Sequence, residues 1–184
     1  MDSLYSNTTA ANNTAVGYQA GYANTTGTAN VATGYHSLAS NTTGDFNIAI
    51  GYNALDANTT ADDNTAVGTS ALGANTTGAS NVAIGKNTLV SNTTGFDNVA
   101  VGATAGDALT SGNGNTAVGW GSLGSDTLGD RAVAIGKNAL TAQNFTSTTD
   151  NYNVAIGYSA GSSIQTGTNN TLIGGLAGDA ITTG

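Results

Sequence analysis

The chain has 184 residues, 8% of them charged: three basic side chains (Lys86, Arg131, Lys137) against eleven acids, all Asp, for a formal net charge of −8. That balance excludes a nucleic-acid binder, because nothing neutralises a run of phosphates, and the lack of Cys excludes disulfides and thiolate metal sites. No apolar run approaches the roughly 20 residues of a membrane span, so no membrane insertion is expected, and Asp2-Ser3-Leu4 after Met1 is not a leader.

In chain order, residues 1–12 read as an incomplete opening coil, with Leu4 to Thr9 fitting the later half of a unit that first appears whole at Asn13. Units then start at 13, 30, 47, 64, 81, 98, 115, 132, 153 and 170, spaced by 17 residues apart from one step of 21. Each opens on a phrase such as Asn81-Val82-Ala83-Ile84-Gly85. Abundant Gly, Asn, Thr and Ser would suit disorder, but disorder does not keep Val or Ile in register every 17 residues. A fixed period means one structural unit stacked on copies of itself. The repeat covers the chain, so 1–184 is one domain, and because the first and last units are partial it is expected to be a segment of something longer.

Positions are numbered here from the opening Asn of each unit. Position 1 is Asn except at Ala132, position 3 is Ala except at Leu172, and position 5 is always Gly. Positions 2 and 4 are Thr, Val or Ile (Thr14 and Val16, Val82 and Ile84). In an extended strand positions 2 and 4 share one face and 1 and 3 the other. The β-branched residues suit a strand, and the Gly a corner. Inward Val, Ile and Leu rows are then expected to form the dry core. The small face, Ala15, Ala32, Ala49, Ala66, Ala83, Ala100, Ala117, Ala134 and Ala155, either packs against another chain, the preferred reading, or decorates an exposed surface.

A second apolar cluster occupies positions 8, 9 and 11, as in Ala54-Leu55 with Ala57. Position 9 alternates between Leu and Gly. Where it is Gly106, Gly161 or Gly178, position 12 changes from its usual Asn to Leu109, Ile164 or Ile181, so each coil supplies one large aliphatic from either of two places. Gly21, followed by Asn24, breaks the rule. Positions 12 to 15 usually read Asn-Thr-Thr-Gly, a second corner. The 21-residue step places four extra residues near 144–147 as a loop bulging from one corner. With no Pro and no helical period, the chain is predicted to be all-β: a parallel β-solenoid, or β-roll, of about ten 17-residue coils with two short strands per coil. At about 4.8 Å per coil the rod is roughly 48 Å long, and its Asn rows can hydrogen-bond from coil to coil.

Nothing resembles a catalytic constellation, and the chain is not expected to be an enzyme or to hold a cofactor or metal. His36 is the only His, at an outward-looking position 7, without a nucleophile and orienting partner. Asp62-Asp63 are adjacent and point opposite ways on a strand. The Asp residues do not follow a calcium-binding nonapeptide pattern, and Gly112-Asn113-Gly114 lacks the helix a phosphate site requires. The outward rows are more suggestive. Position 6 carries Tyr18, Tyr35 and Tyr52 on successive coils, then Trp120 and Tyr158, rings that either present flat faces to sugars or pack against neighbouring coils and chains. The Thr rows allow a flat ice-binding face.

The Asn-Thr-Ala-Val-Gly-Tyr…Ala-Leu…Asn-Thr-Thr-Gly text of Asn13 to Gly27 and Asn47 to Thr60 resembles repeat segments of phage tail fibres and bacterial surface fibres. Its Asn-Val-Ala-Ile-Gly core is similar to the head repeats of YadA-type trimeric autotransporter adhesins. The resemblance implies a left-handed β-roll assembled as a trimer, and an extracellular, cell-surface or virion location. The expected function is a structural and adhesive fibre module, a rigid homotrimeric segment or an end-to-end filament whose partners are its own copies and, on some surfaces, a polysaccharide. The alternative is a ligand-binding solenoid, gripping glycan along the Tyr row or ice along the Thr row.

Overall fold

The structure is a computed structural model describing residues 2–183. Each full coil contributes one three-residue strand to a single parallel sheet. The strands are β1 (Thr14–Val16), β2 (Val31–Thr33), β3 (Ile48–Ile50), β4 (Thr65–Val67), β5 (Val82–Ile84), β6 (Val99–Val101), β7 (Thr116–Val118), β9 (Val133–Ile135), β11 (Val154–Ile156) and β12 (Thr171–Ile173). Two shorter strands, β8 (Gly129–Asp130) and β10 (Thr149–Asp150), pair with each other at a separate corner. Register follows the repeat: Val82 lies beside Val99, and across the long step Val133 lies beside Val154. The chain is an all-β parallel β-solenoid.

A second strand, expected in every coil, forms only where β8 and β10 pair, and in the other coils its place is taken by a run of turns. After position 5 the chain bends through successive tight turns, as where the N–H groups of Ala20, Tyr22 and Asn24 donate to the carbonyls of Gly17, Gln19 and Gly21. These bends put non-glycine residues into the left-handed region at positions 7, 9 and 17 of one coil after another, for example His36 (φ 52°), Leu38 (φ 53°) and Phe46 (φ 57°). Left-handed backbone costs an L-residue roughly 1–2 kcal/mol. Bonds between coils offset it: Leu38, Leu55 and Leu72 each donate their N–H to a carbonyl of the following coil at 2.9–3.0 Å. Position 5 is glycine for a second reason besides φ: a Cβ on Gly51 would sit 2.5 Å from the carbonyl oxygen of Gly68 in the next coil.

The interior inverts the hydrophobicity argument. Ala32, Ala49, Ala66, Ala83, Ala100, Ala117, Ala134 and Ala155 are buried inside their own coil, and Ala15 packs partly buried against the same core. They are therefore not a face for another chain. The Val and Ile of positions 2 and 4 point outward, with Val16, Ile50 and Ile84 exposed. The reason is volume. A coil of this length closes around one leucine and two alanines, and a β-branched residue at position 3 would overpack it. The leucines Leu38, Leu55, Leu72, Leu89, Leu123 and Leu140 are fully buried, and so are Leu109 and Ile164, the position-12 substitutes. A side chain at Gly106 would meet Leu109 Cδ1 at 3.2 Å, which explains the exchange between the two positions. Gly21 also has a structural partner: Leu4 of the opening coil reaches to 3.1 Å of where its Cβ would be.

Asparagines share the interior. Those at position 1 accept the backbone N–H of the next coil's Asn and donate to the position-15 carbonyl of their own coil, as Asn30 does with Asn47 and Gly44, both at 2.8 Å. At position 12, Asn41, Asn58, Asn75 and Asn92 each donate Nδ2 to the Oδ1 of the preceding rung at 2.9–3.0 Å. This amide ladder starts at Asn24 and stops at Leu109, which offers no donor, so Asn92 Oδ1 is buried without a partner. Beyond it, buried Asp126 accepts from the N–H groups of Gly129 and Phe145 and from Gln143 Nε2. Gln143 Oε1 in turn accepts from Asn153. The extra residues of the long coil turn Phe145 inward over Gly129, while Asn144, Thr146 and Ser147 are exposed.

Candidate functional site

With the interior filled, any function lies on the outside of the coils. The largest uniform feature is the outer face of the ten-stranded sheet. Its two columns contain only Thr, Val and Ile from Thr14 to Ile173, with no charge on any rung. Val16, Ile48, Ile50, Ile84, Val99, Ile135 and Ile156 are all more than a third exposed. At about 4.8 Å per rung and about 10 Å across a three-residue strand, this face covers roughly 500 Å², the scale at which an exposed apolar patch marks an interaction surface.

Beside it runs the position-6 column. Tyr18, Tyr35 and Tyr52 are about half exposed and stack on one another with centroids 5.3 and 5.2 Å apart, a spacing set by the coil rise. His36, which the sequence places on the outside, is half-buried and lies flat against Tyr35 at 4.3 Å. The rings thus spend most of their faces on each other and turn their edges to solvent. Trp120 and Tyr158 stand apart further along the rod, more than half exposed, with Lys137 Nζ 5.1 Å from the Trp120 ring.

The Thr rows divide. Position-13 hydroxyls are used along the axis, as Thr42 Oγ1 donates to the Thr59 carbonyl at 3.0 Å and Thr59 to Thr76 at 3.1 Å. Position-14 threonines such as Thr26, Thr43 and Thr60 are exposed. Two residues further on, at position 16, Asp62 Oδ1 accepts the Asp45 N–H, so this acid secures a turn. Among the described residues, no three His or Asp side chains come together as a metal site, and no helix is long and apolar enough to cross a membrane.

Two depressions of the surface lie in the second half of the rod. One, about 250 Å³, opens where Gly114 leaves a gap between Asp97 and Arg131, beside Phe96. Arg131 there pairs with Asp150 and lies over Tyr152. The other, about 440 Å³, lies between Trp120 and Asp107 at the rung of Gly121 and Gly124. Burial raises the Asp107 carboxyl from its ordinary value, partly countered by the N–H groups of Asp107 and Ala108. Asp56, at the same position three coils earlier, is also raised by burial, with the charge of His36 pulling it back.

Sequence reasoning pointed to Trp120 but missed Asp107, Gly121 and Gly124 beside it. It also missed the Val and Ile columns as a surface. A signal for the latter was present: positions 1 and 3 barely vary among the coils, whereas positions 2 and 4 alternate freely among Thr, Val and Ile, as solvent-side positions do. No protein-family profile, curated protein or solved structure matches the chain.

Proposed function

We propose that the chain is a rigid structural and adhesive segment of an extracellular or virion fibre, in which copies of the solenoid associate side by side through the outer sheet face. The observation that carries this reading is the ten-rung face of uncharged Thr, Val and Ile. Three such faces turned toward a common axis bury roughly 1,500 Å² in total (three times about 500 Å²), on the scale of a specific assembly. Their rungs share one rise, so side chains of one copy seat between those of the next along the whole rod. The repeat text, similar to tail-fibre and trimeric adhesin-head repeats, favours three copies. The stacked Tyr column lies at the rim of this interface and stiffens the rod.

Light-scattering mass measurement tests the reading. The expected mass is about 54 kDa, three times the 17.9 kDa chain. Replacing the outward Ile50 and Ile84 with Asp disturbs no core contact and is expected to reduce the assembly to single chains. A wild-type chain that runs as a monomer defeats the proposal. Filaments that persist unchanged in the Asp variant move the contact to the coil ends and defeat the side-by-side arrangement.

A further inference from the structure

One rung of the rod lacks the side chains that fill the corner everywhere around it. Position 7 holds Gln19, His36, Asn53, Ser70, Asn87, Thr104, Asn138 and Ser159 in eight other coils, but Gly121 here. Position 10 holds Asp107 one coil before and Thr141 one coil after, but Gly124 here. Both deletions fall on the coil that carries Trp120, the only Trp of the chain. The result is the cleft of about 440 Å³, within the range of small-ligand sites, roughly 300–1,000 Å³.

Its walls have a definite chemistry. Trp120, 54% exposed, supplies an aromatic surface from one side. Asp107 forms part of the opposite wall, its Oδ1 3.5 Å from where a Gly124 Cβ would stand. Asn138 borders the gap above Gly121, its Oδ1 3.0 Å from the missing Cβ. Thr104, Ser125 and Thr141 add hydroxyls at the margin. In contrast to the position-13 threonines, whose hydroxyls are used between coils, these three and the Asn138 amide make no side-chain hydrogen bond among the described residues.

We propose that this cleft binds one unit of a neutral saccharide, with a pyranose ring against Trp120 and its hydroxyls shared between Asp107 and Asn138. A pyranose has one C–H-rich face and a rim of hydroxyls that both donate and accept. Trp120 matches the face. A carboxylate takes two donated hydroxyl bonds, and an amide gives and takes. A single acid with Lys137 nearby over the indole leaves little net charge to favour an anion or cation. Trp120 stands in the position-6 column at the rim of the outer sheet face, and the rest of the site lies on the turn corner, away from the Thr, Val and Ile columns.

Because Trp120 is the sole Trp, its fluorescence reports on this cleft directly. The probes are neutral glucose-, galactose-, mannose- and N-acetylglucosamine-containing trisaccharides, titrated to about 10 mM, tenfold above a Kd of about 1 mM. At least one is expected to shift Trp120 emission saturably. Gly121→Asn places at this left-handed position the residue that Asn53, Asn87 and Asn138 carry, with Asn138 Oδ1 required to yield by a few tenths of an ångström; it is expected to keep the wild-type circular dichroism and to weaken binding about tenfold or more. Asp107→Asn is expected to weaken it also, with no change in molecular mass. No emission change with any probe, or a change undiminished in Gly121→Asn, overturns the proposal. The mass measurement decides the fibre reading separately.

Discussion

The rungs from Asn24 to Asn92 and those from Leu109 to Ile164 share one backbone and differ in what fills it. In the first stretch position 9 is leucine from Leu38 onward and position 12 carries an unbroken amide ladder. In the second, position 12 runs Leu109, Asp126, Gln143, Ile164, and position 9 changes to glycine wherever position 12 is aliphatic. The first stretch carries the stacked Tyr column, while the Trp120 cleft and the inserted loop belong to the second and the Gly114 depression straddles the boundary between them. The difference teaches that the coil fixes a volume and a bonding requirement rather than a residue. An apolar side chain and an amide are alternatives at position 12 provided that position 9 and the adjacent rungs answer.

The comparison breaks most severely if the second solution is forced into the first region. Asn58→Leu adds an aliphatic next to Leu55, which is already buried, and removes the amide donor to Asn41 Oδ1 and the Ala61 carbonyl. Overpacking and orphaned acceptors together are expected to cost about 4 kcal/mol or more in denaturant unfolding. A cost under about 1 kcal/mol would show that the ladder contributes nothing.

The exchange itself is tested at the boundary. Leu109→Asn empties the aliphatic slot beside Gly106 and should cost about 3 kcal/mol. Gly106→Leu alone clashes, since its Cβ would meet Leu89 Cδ2 at 2.9 Å and Leu109 Cδ1 at 3.2 Å. The double variant restores the pattern of the first region and gives buried Asn92 Oδ1 a donor. It is expected to recover most of the loss, with a coupling of about 1–3 kcal/mol. Simple additivity of the two single changes would refute compensation.

In the second region the bonding requirement rests on one carboxylate. Asp126→Ala strands the N–H groups of Gly129 and Phe145 and the Gln143 amide, at an expected cost of about 2–3 kcal/mol by thermal or chemical unfolding. Asp126→Asn should lie between wild type and Ala, because it keeps an acceptor for the two backbone groups. It cannot satisfy Gln143 without disturbing the bond from Asn153 to Gln143.

The smallest effect compares Asp56 of the first region with Asp107 of the second. Burial raises both carboxyls, so between the unfolded and folded pKa values the folded chain holds more protons than the unfolded one. Stability should therefore rise as pH falls through that window, and the gain is complete below the ordinary carboxylate range. Replacing both with Asn should give a slightly higher melting temperature than wild type at neutral pH and no advantage in acid. A pH-independent difference between the two proteins would remove the two carboxyls as its cause. The double variant also lowers the formal net charge from −8 to −6 (3 − 9), a change that a variant with the exposed Asp63 and Asp97 replaced by Asn shares and so controls for.

Much of this was legible in the sequence for a physical reason: stacking makes like positions neighbours, so period alone sets register. The strand at positions 2 to 4, the glycine corner, the Asn rows and the volume exchange between positions 9 and 12 all follow from it. The inward face did not. Hydrophobicity favours Val82 and Ile84 over Ala83, but closure around Leu89 leaves room only for alanine. The second strand was misread because leucine in left-handed backbone, as at Leu55 (φ 50°), runs against its intrinsic preference and is held there by bonds between coils. The Trp120 cleft was hidden because an absence made it. Gly121 and Gly124 read as ordinary turn glycines until the neighbouring rungs show what is missing between them.

The order of strands, their parallel register and the length of the rod were thus determined by the sequence alone, since each depends only on the distance between repeats. Which side of the strand is interior, where the polar ladder ends and where the surface opens were decided by the tertiary structure. Those outcomes depend on how much volume a closed coil leaves, and that volume exists only once the rungs are stacked.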